Sequence, residues 1–510
     1  MKSILVGILI LASSLVQLSY AEPYHHSAAR KSYNQQLDRR APIPLDQDNW
    51  LGGTGNWSNG SDWSLNAPPG SGDDATIGGA NDFVSFDVGT TTINSLTLAG
   101  TLTDRGIASG FTASSFLNVT STGVLDFSSS GISLPGEVQG SVNYGKMSAA
   151  FLNIGTDLGG GFSNYGVLNL GGLAVNPTGG QFFNAPGASL TTGGAGLGYL
   201  RNYGHWDNFG QAGGGYPDGG GIDNYGVLHN HSTGYLYLGY EFGLRNYGTL
   251  TNDGTIYIDS ISGGGYINSF GTFINNGTVS SFGFAGNDGI FVNNGTFSGD
   301  GGGSGSVVNH GTFNVFATLG NGFSAGSYVQ EGSQSVTTVD DGVFSATTPL
   351  QINGGTLSGN GIIAGDVNMS GRLTPGYGSS CQGCRVLTIQ GNYQQFGIGT
   401  FNSELGGTRA GWDYDQLAIT GNAILDGTLD VTLLTTFVPK LGDAFLLMTY
   451  GSESGKFSMI DLPALPSGEM WNYAYESSDF KLWVVPEPSS LVLLGGGLLG
   501  MVGMVRRKLS

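Results

Sequence analysis

Asn246-Tyr247-Gly248-Thr249-Leu250-Thr251-Asn252-Asp253-Gly254-Thr255-Ile256-Tyr257-Ile258 contains the same short pattern twice. Each half opens with Asn-x-Gly. It then runs into a segment whose apolar residues, Leu250 in the first and Ile256 and Ile258 in the second, fall at every second position, the period of a strand with one buried face. Tyr235-Leu236-Tyr237-Leu238 alternates in the same way. The opening recurs as NYGKM at Asn143, NYGVL at Asn164 and Asn224, and NYGHW at Asn202. It continues as NDGTI, NNGTV, NNGTF and NHGTF at Asn252, Asn275, Asn293 and Asn309, with NGGTL at Asn353. Its glycines, Gly145, Gly166, Gly187, Gly204, Gly226, Gly248, Gly271, Gly295 and Gly311, are spaced by 21, 21, 17, 22, 22, 23, 24 and 16 residues. In three units a second glycine follows six residues later, at Gly210, Gly254 and Gly277, which implies two corners in quick succession.

A period near twenty without a helix predicts a parallel β-solenoid, with two or three short strands per coil and coils stacked at about 4.8 Å. Leucine-rich, ankyrin and tetratricopeptide repeats are excluded by the missing helix and consensus leucines. A stacked antiparallel sandwich array is the second architecture considered, but the repeat lacks its paired hairpin signals. Glycine is expected to supply a positive-φ corner. Asparagine is expected either to adopt the left-handed conformation or to donate and accept along a ladder of identical neighbours.

Composition narrows the choice in the same direction. There are 92 glycines in 510 residues, 11% of the chain is charged, and no amphipathic stretch between Asp48 and Trp483 exceeds about two helical turns. Between Asp48 and Val485 stand 10 cations against 33 carboxylates, a balance that repels phosphate backbones and excludes nucleic acid as a partner.

Both ends carry addresses. Met1-Lys2, an apolar stretch from Ile4 to Leu18, and Ser19-Tyr20-Ala21 have the layout of a secretory signal peptide cleaved after Ala21. Residues 22–47 are a polar lead-in without sustained periodicity. At the far end stand Val485-Pro486-Glu487-Pro488, an apolar run over residues 489–505 interrupted by five glycines, and Arg506-Arg507-Lys508. The run is just long enough to cross a bilayer, and the three terminal cations would stay cytoplasmic. This order of motif, apolar run and basic end resembles the PEP-CTERM sorting signal of Gram-negative bacteria. The resemblance implies export by the general secretory route and a transient membrane tether through a short C-terminal transmembrane helix. It also implies processing by exosortase near Pro486, Glu487 and Pro488, and then residence at the cell surface or in an exopolysaccharide matrix. Exosortase, and exopolysaccharide or another surface glycan, are the partners it implies.

Trp50, Trp57 and Trp63 punctuate a Gly-rich opening similar to that of bacterial passenger-type β-helices, where they would cap the first coil or offer platforms to sugars. GGTLSGNGIIAGDVNMSGRLTPG, LTIQGNY, YDQLAITGNAILDGTLDVTLL and GDAFLLMTY, from Asn353 to Phe457, resemble the terminal part of autotransporter passenger domains, without the barrel that follows in those proteins. The fold expected is therefore all-β, a right-handed parallel β-helix of about twenty coils. Its repeats occupy residues 48–352, the passenger-like segment 353–484, and the sorting signal 485–510.

Chemistry is sparse. Cys381 and Cys384 lie in a Gly-rich loop and are expected to form a local disulfide, since neither a βαβ redox context nor a zinc ligand set accompanies them. Zincin, P-loop and nucleophile-elbow motifs are missing, so no catalytic residue and no cofactor is assigned. His229-Asn230-His231 would place two rings on one face with no third metal ligand in view; His205, His229 and His310, at or beside corners, are expected to be solvated. The enzyme alternative is a β-helix polysaccharide lyase or glycoside hydrolase. It needs clustered carboxylates beside a base, yet Lys146 and Arg201 are the only cations between Gly106 and Leu244. Asp73-Asp74 and Asp340-Asp341 sit in turns. The favoured reading is a non-enzymatic surface or matrix protein, adhesin-like or exopolysaccharide-associated. Tyr144, Tyr165, Tyr203, Tyr225 and Tyr247 share one repeat position and would stack outward as one stripe, with Tyr203, Tyr225 and Tyr247 the candidate residues for stacking on sugar rings.

Overall fold

The computed structural model describes residues 46–487, apart from residues 107–108, 136–139, 156–160, 176–179, 193–197, 215–219, 240–241, 260–264, 317–321, 377–385 and 435–436. The unit that begins at Gln47 is a parallel β-solenoid with three strands per coil, here called faces A, B and C in chain order. One coil, for example, consists of Val227–Asn230 on A, Tyr235–Leu238 on B and Phe242–Asn246 on C. The next coil pairs with it in parallel and in register, Asn230 opposite Asn252, Leu236 opposite Ile256 and Asn246 opposite Ser269. Strand after strand shows alternate burial, so Leu228, Leu236, Leu238 and Leu244 point inward and are fully covered, as the alternating sequence demands. Each such aliphatic side chain contributes about 1.5–3 kcal/mol once stacked.

The coil count differs from the twenty expected. Among the described residues, the A column holds nineteen strands, from Gln47–Asn49 to Ser452–Gly455. Only eleven coils keep three separate strands. Elsewhere one continuous strand serves two faces, as in Val124–Leu134, Lys146–Ile154 and Thr278–Asn287. The columns also run through residue 353 without a break, so the repeats and the passenger-like segment form one stack.

Asn-x-Gly serves two different corners. Asn143, Asn164, Asn184, Asn208, Asn230, Asn252, Asn275, Asn293 and Asn309 close face A. Each amide donates to the amide oxygen of the next, at 2.7–2.9 Å. Asn202, Asn224 and Asn246 close face C with a second ladder at 2.8 Å, which ends on the Ser269 hydroxyl at 3.2 Å. Most of these amides also donate to a backbone carbonyl one coil on, as Asn224 does to Thr249 at 2.9 Å. The single series read from the sequence therefore interleaves two, which is why its spacings scatter. The paired glycines six residues apart are the two corners flanking face A.

Most of these glycines are not there for positive φ: Gly187 adopts it, at 80°, but Gly226 and Gly248 do not. A Cβ on Gly248 would instead collide with the carbonyl oxygen of Gly226 directly beneath it, and with the backbone of Tyr225. Gly166 over Gly145 and Gly295 over Gly277 repeat the arrangement. The corners are thus stacked too closely for any side chain at that position.

Trp50, Trp57 and Trp63 close the first coil. Trp57 and Trp63 lie edge to face at 4.9 Å, Trp50 meets Trp63 at 5.2 Å, and all three are buried, Trp50 at 6% exposure. They form a lid and offer no sugar platform. At the other end the winding stops in an antiparallel hairpin, Glu469–Tyr475 against Asp479–Pro486, whose second strand also pairs antiparallel with Ala444–Thr449 of face C. That strand covers the last open edge of the C column. Ala21, Cys381, Cys384, Pro488, the apolar run and Arg506, Arg507 and Lys508 lie outside the described residues. Among the described residues, no helix is long and apolar enough to cross a membrane.

Candidate functional site

The residue between Asn and Gly turns outward, because the asparagine before it is locked into its ladder and the glycine after it is pinned beneath the next coil. At the C-to-A corner this position is occupied by Tyr203, Tyr225, Tyr247 and Phe270. Their ring centroids are 4.8, 4.8 and 5.1 Å apart, with planes within 10° of each other. Tyr144 and Tyr165 belong to the other corner, where they stack on each other at 4.9 Å. The five tyrosines therefore form two rows, because the interleaved series hid two corners. Tyr225 and Tyr247 carry a neighbouring ring on both faces, so their exposure of 45% and 42% falls on ring edges and hydroxyls and these two offer no open stacking platform.

The A-to-B row continues differently. From Tyr165 it passes through Phe183 and Phe209 to His231, whose ring lies on Phe209 at 3.7 Å and on His229 at 3.6 Å. Around these two imidazoles gather carboxylates from the neighbouring coils. His231 Nε2 lies 2.7 Å from Asp207 Oδ1, His229 Nε2 lies 2.6 Å from Asp253 Oδ2, and His205 Nε2 lies 3.3 Å from Asp207 Oδ2. Asn276 donates to the other oxygen of Asp253 at 2.7 Å. Hydrogen bonding to Asp207 raises the His205 imidazole above its ordinary range, against some burial. Burial lowers His231, only partly offset by Asp207. For Asp207 and Asp253 burial acts upward, but hydrogen bonds from their histidine and asparagine neighbours more than offset it and hold both below the usual carboxylate range.

The third ligand missing from His229-Asn230-His231 is thus Asp207, set opposite His229 by strand register. The signal was available in the sequence. Aligning Asn208 with Asn230 as successive ladder members places residue 207 beside residue 229. Asp207, His229 and His231 bring one donor atom each to within 4.8 Å of one another. His205 and His229 are not free solvated rings.

Two of the cations that could serve a lyase as base are engaged. Arg245 donates through Nε and Nη2 to Oδ1 and Oδ2 of Asp223 at 2.6 and 3.1 Å, and Arg372 Nη2 donates to Asp430 at 2.8 Å.

The sorting residues begin inside the terminal hairpin. Val484 and Val485 are strand residues, Pro486 is the last residue of that strand opposite Glu469, and Glu487 N–H donates to Gly468 O at 2.9 Å. Pro486 and Glu487 are exposed. Fold and tail together define a β-solenoid that carries a C-terminal sorting signal. Residues 484–508 match the PEP-CTERM protein-sorting motif, the recognition signal of exosortase, a membrane protease. The chain is accordingly an exported surface protein whose sorting signal anchors it in the membrane before release. No curated protein matches the chain.

Proposed function

We propose that this chain is a non-enzymatic surface or matrix protein of a Gram-negative bacterium, wound as a right-handed solenoid and associated with exopolysaccharide in an adhesin-like role. The observation that carries the reading is the direct joining of the sorting motif to the folded end. Pro486 closes the last strand, so the whole repeated surface lies on the exported side of the signal. Residues 489–505 hold the chain in the membrane until exosortase acts. The engagement of Arg245 and Arg372 by carboxylates, leaving neither as a free base, supports a binding role over the lyase or glycosidase alternative.

Processing is tested by mass spectrometry of the mature C-terminus. The expected product ends near Pro486, Glu487 or Pro488 and is recovered outside the cell, while a Pro486→Ala/Glu487→Ala/Pro488→Ala chain stays full length in the membrane fraction. A mature wild-type chain that keeps Arg506, Arg507 and Lys508 would refute the assignment.

Glycan association is tested at the C-to-A row. Replacing Tyr203, Tyr225 and Tyr247 together by Ser is expected to weaken exopolysaccharide retention several-fold while the β-rich circular dichroism persists. The triple Phe variant keeps the ring stack and removes the hydroxyl edge, so an equal loss there assigns binding to the hydroxyls. Unchanged retention in both variants would reduce the row to scaffold.

A further inference from the structure

We propose that Asp207, His229 and His231 form a site for one divalent transition-metal ion on the outer A face, with Asp253 orienting His229. Imidazole and carboxylate donors together suit zinc, copper or nickel. Bonds of about 2.0–2.1 Å put donors in a tetrahedral site roughly 3.3 Å apart. The three donor atoms here lie within 4.8 Å of one another, on side chains that are only half-buried and can close by small torsions. The present 2.7 Å contact between His231 and Asp207 is a shared proton, and a metal would take its place between the same two atoms.

The surroundings are those of a supported site. The Nε2–H of His229 donates to Asp253, which leaves Nδ1 as the free lone pair, and Asn276 steadies Asp253 from the other side. Such outer carboxylates orient ligating histidines and make them better donors. Phe209 packs flat against His231 and fixes that ring. Asp207 and His229 stand on adjacent rungs of the sheet and His231 at the corner that directly follows, which pre-arranges them. Three protein ligands leave a fourth position open toward the outside. The strongly acidic body draws cations to the surface.

The probe is Zn²⁺ alone, titrated into the purified exported chain in competition with a chromogenic chelator. One tight equivalent is expected, and zinc should raise the thermal midpoint by mass action. His229→Gln/His231→Gln should weaken binding by at least about 100-fold, and Asp253→Asn by about 10-fold or more through loss of orientation. Asp207→Asn provides an independent ligand variant should the double variant fold poorly, with circular dichroism in the absence of metal as the control. X-ray absorption of the loaded protein should show only nitrogen and oxygen neighbours, with an imidazole signature. No zinc uptake by the wild type, or affinity unchanged in both ligand variants, would overturn the site.

Discussion

Asn230→Ala is expected to cost about 3–5 kcal/mol, read as a lowered denaturant midpoint with the far-ultraviolet spectrum retained. Asn230 is completely covered. Its amide oxygen accepts from Asn208 at 2.7 Å; its amide nitrogen donates to Asn252 Oδ1 at 2.7 Å and to the Thr255 carbonyl at 3.1 Å. Alanine would leave the Asn208 donor and the Asn252 acceptor buried without this partner, at about 1–3 kcal/mol each, and would open a small cavity as well. The position of the defect matters because each coil contacts only its neighbours. A break in mid-stack should split the transition into two, whereas Asn143→Ala, at the start of the ladder, should shift it less. A cost below about 1 kcal/mol for Asn230→Ala would mean that the strands hold register without the amides.

Asp415→Asn is expected to stabilise the C-terminal coils at alkaline pH by about 3–5 kcal/mol and to flatten their pH dependence. Asp415 is 2% exposed, just ahead of the face C strand Gln416–Ile419; its carboxylate accepts from the Glu404 N–H at 3.1 Å. Burial, with the Glu404 carboxylate adding to it, pushes Asp415 up to about 8, against that hydrogen bond. An acid raised in this way keeps its proton in the folded chain and loses it in the unfolded one. Its stabilising contribution is complete below about pH 4, declines as pH rises toward about 8, and is lost above that. Asparagine imitates the protonated group at every pH. Denaturation at pH 5 and pH 9 should therefore show a large wild-type difference that the variant lacks. Equal slopes in the two proteins would show that Asp415 is ionised in the folded state.

Most of the fold could be read in advance because strand period and corner chemistry are local. Alternation in Thr255–Ile258 and the Asn-x-Gly turns need only a few residues to declare themselves. What escaped were relations between coils. Tyr165 and Tyr203 look equivalent in sequence, but the strands that follow them lie on different faces, B after Tyr165 and A after Tyr203. The glycines were read through their own backbone angles, whereas their necessity comes from the carbonyl one coil below. The histidine cluster escaped for the same reason, since Asp207 and Asp253 approach it across coil boundaries. The sorting motif needed no such information, being contiguous.

Corners of two residues recur at Asn202, Asn224 and Asn246, while ladder partners on face A are anywhere from 16 to 24 residues apart. The surplus is taken up partly in the passage from face B to face C, as between Ile258 and Tyr266, and partly at the A-to-B corner, which is longer after Asn184 and Asn230 than after Asn164 and Asn208. Every coil therefore presents the same upper and lower interface whatever it carries on its flank. Whole coils are interchangeable parts. Recombination between similar stretches at the same corner, such as those at Asn224 and Asn246, can lengthen or shorten the molecule while leaving its cross-section alone, giving a lineage control of reach separately from what the flank displays.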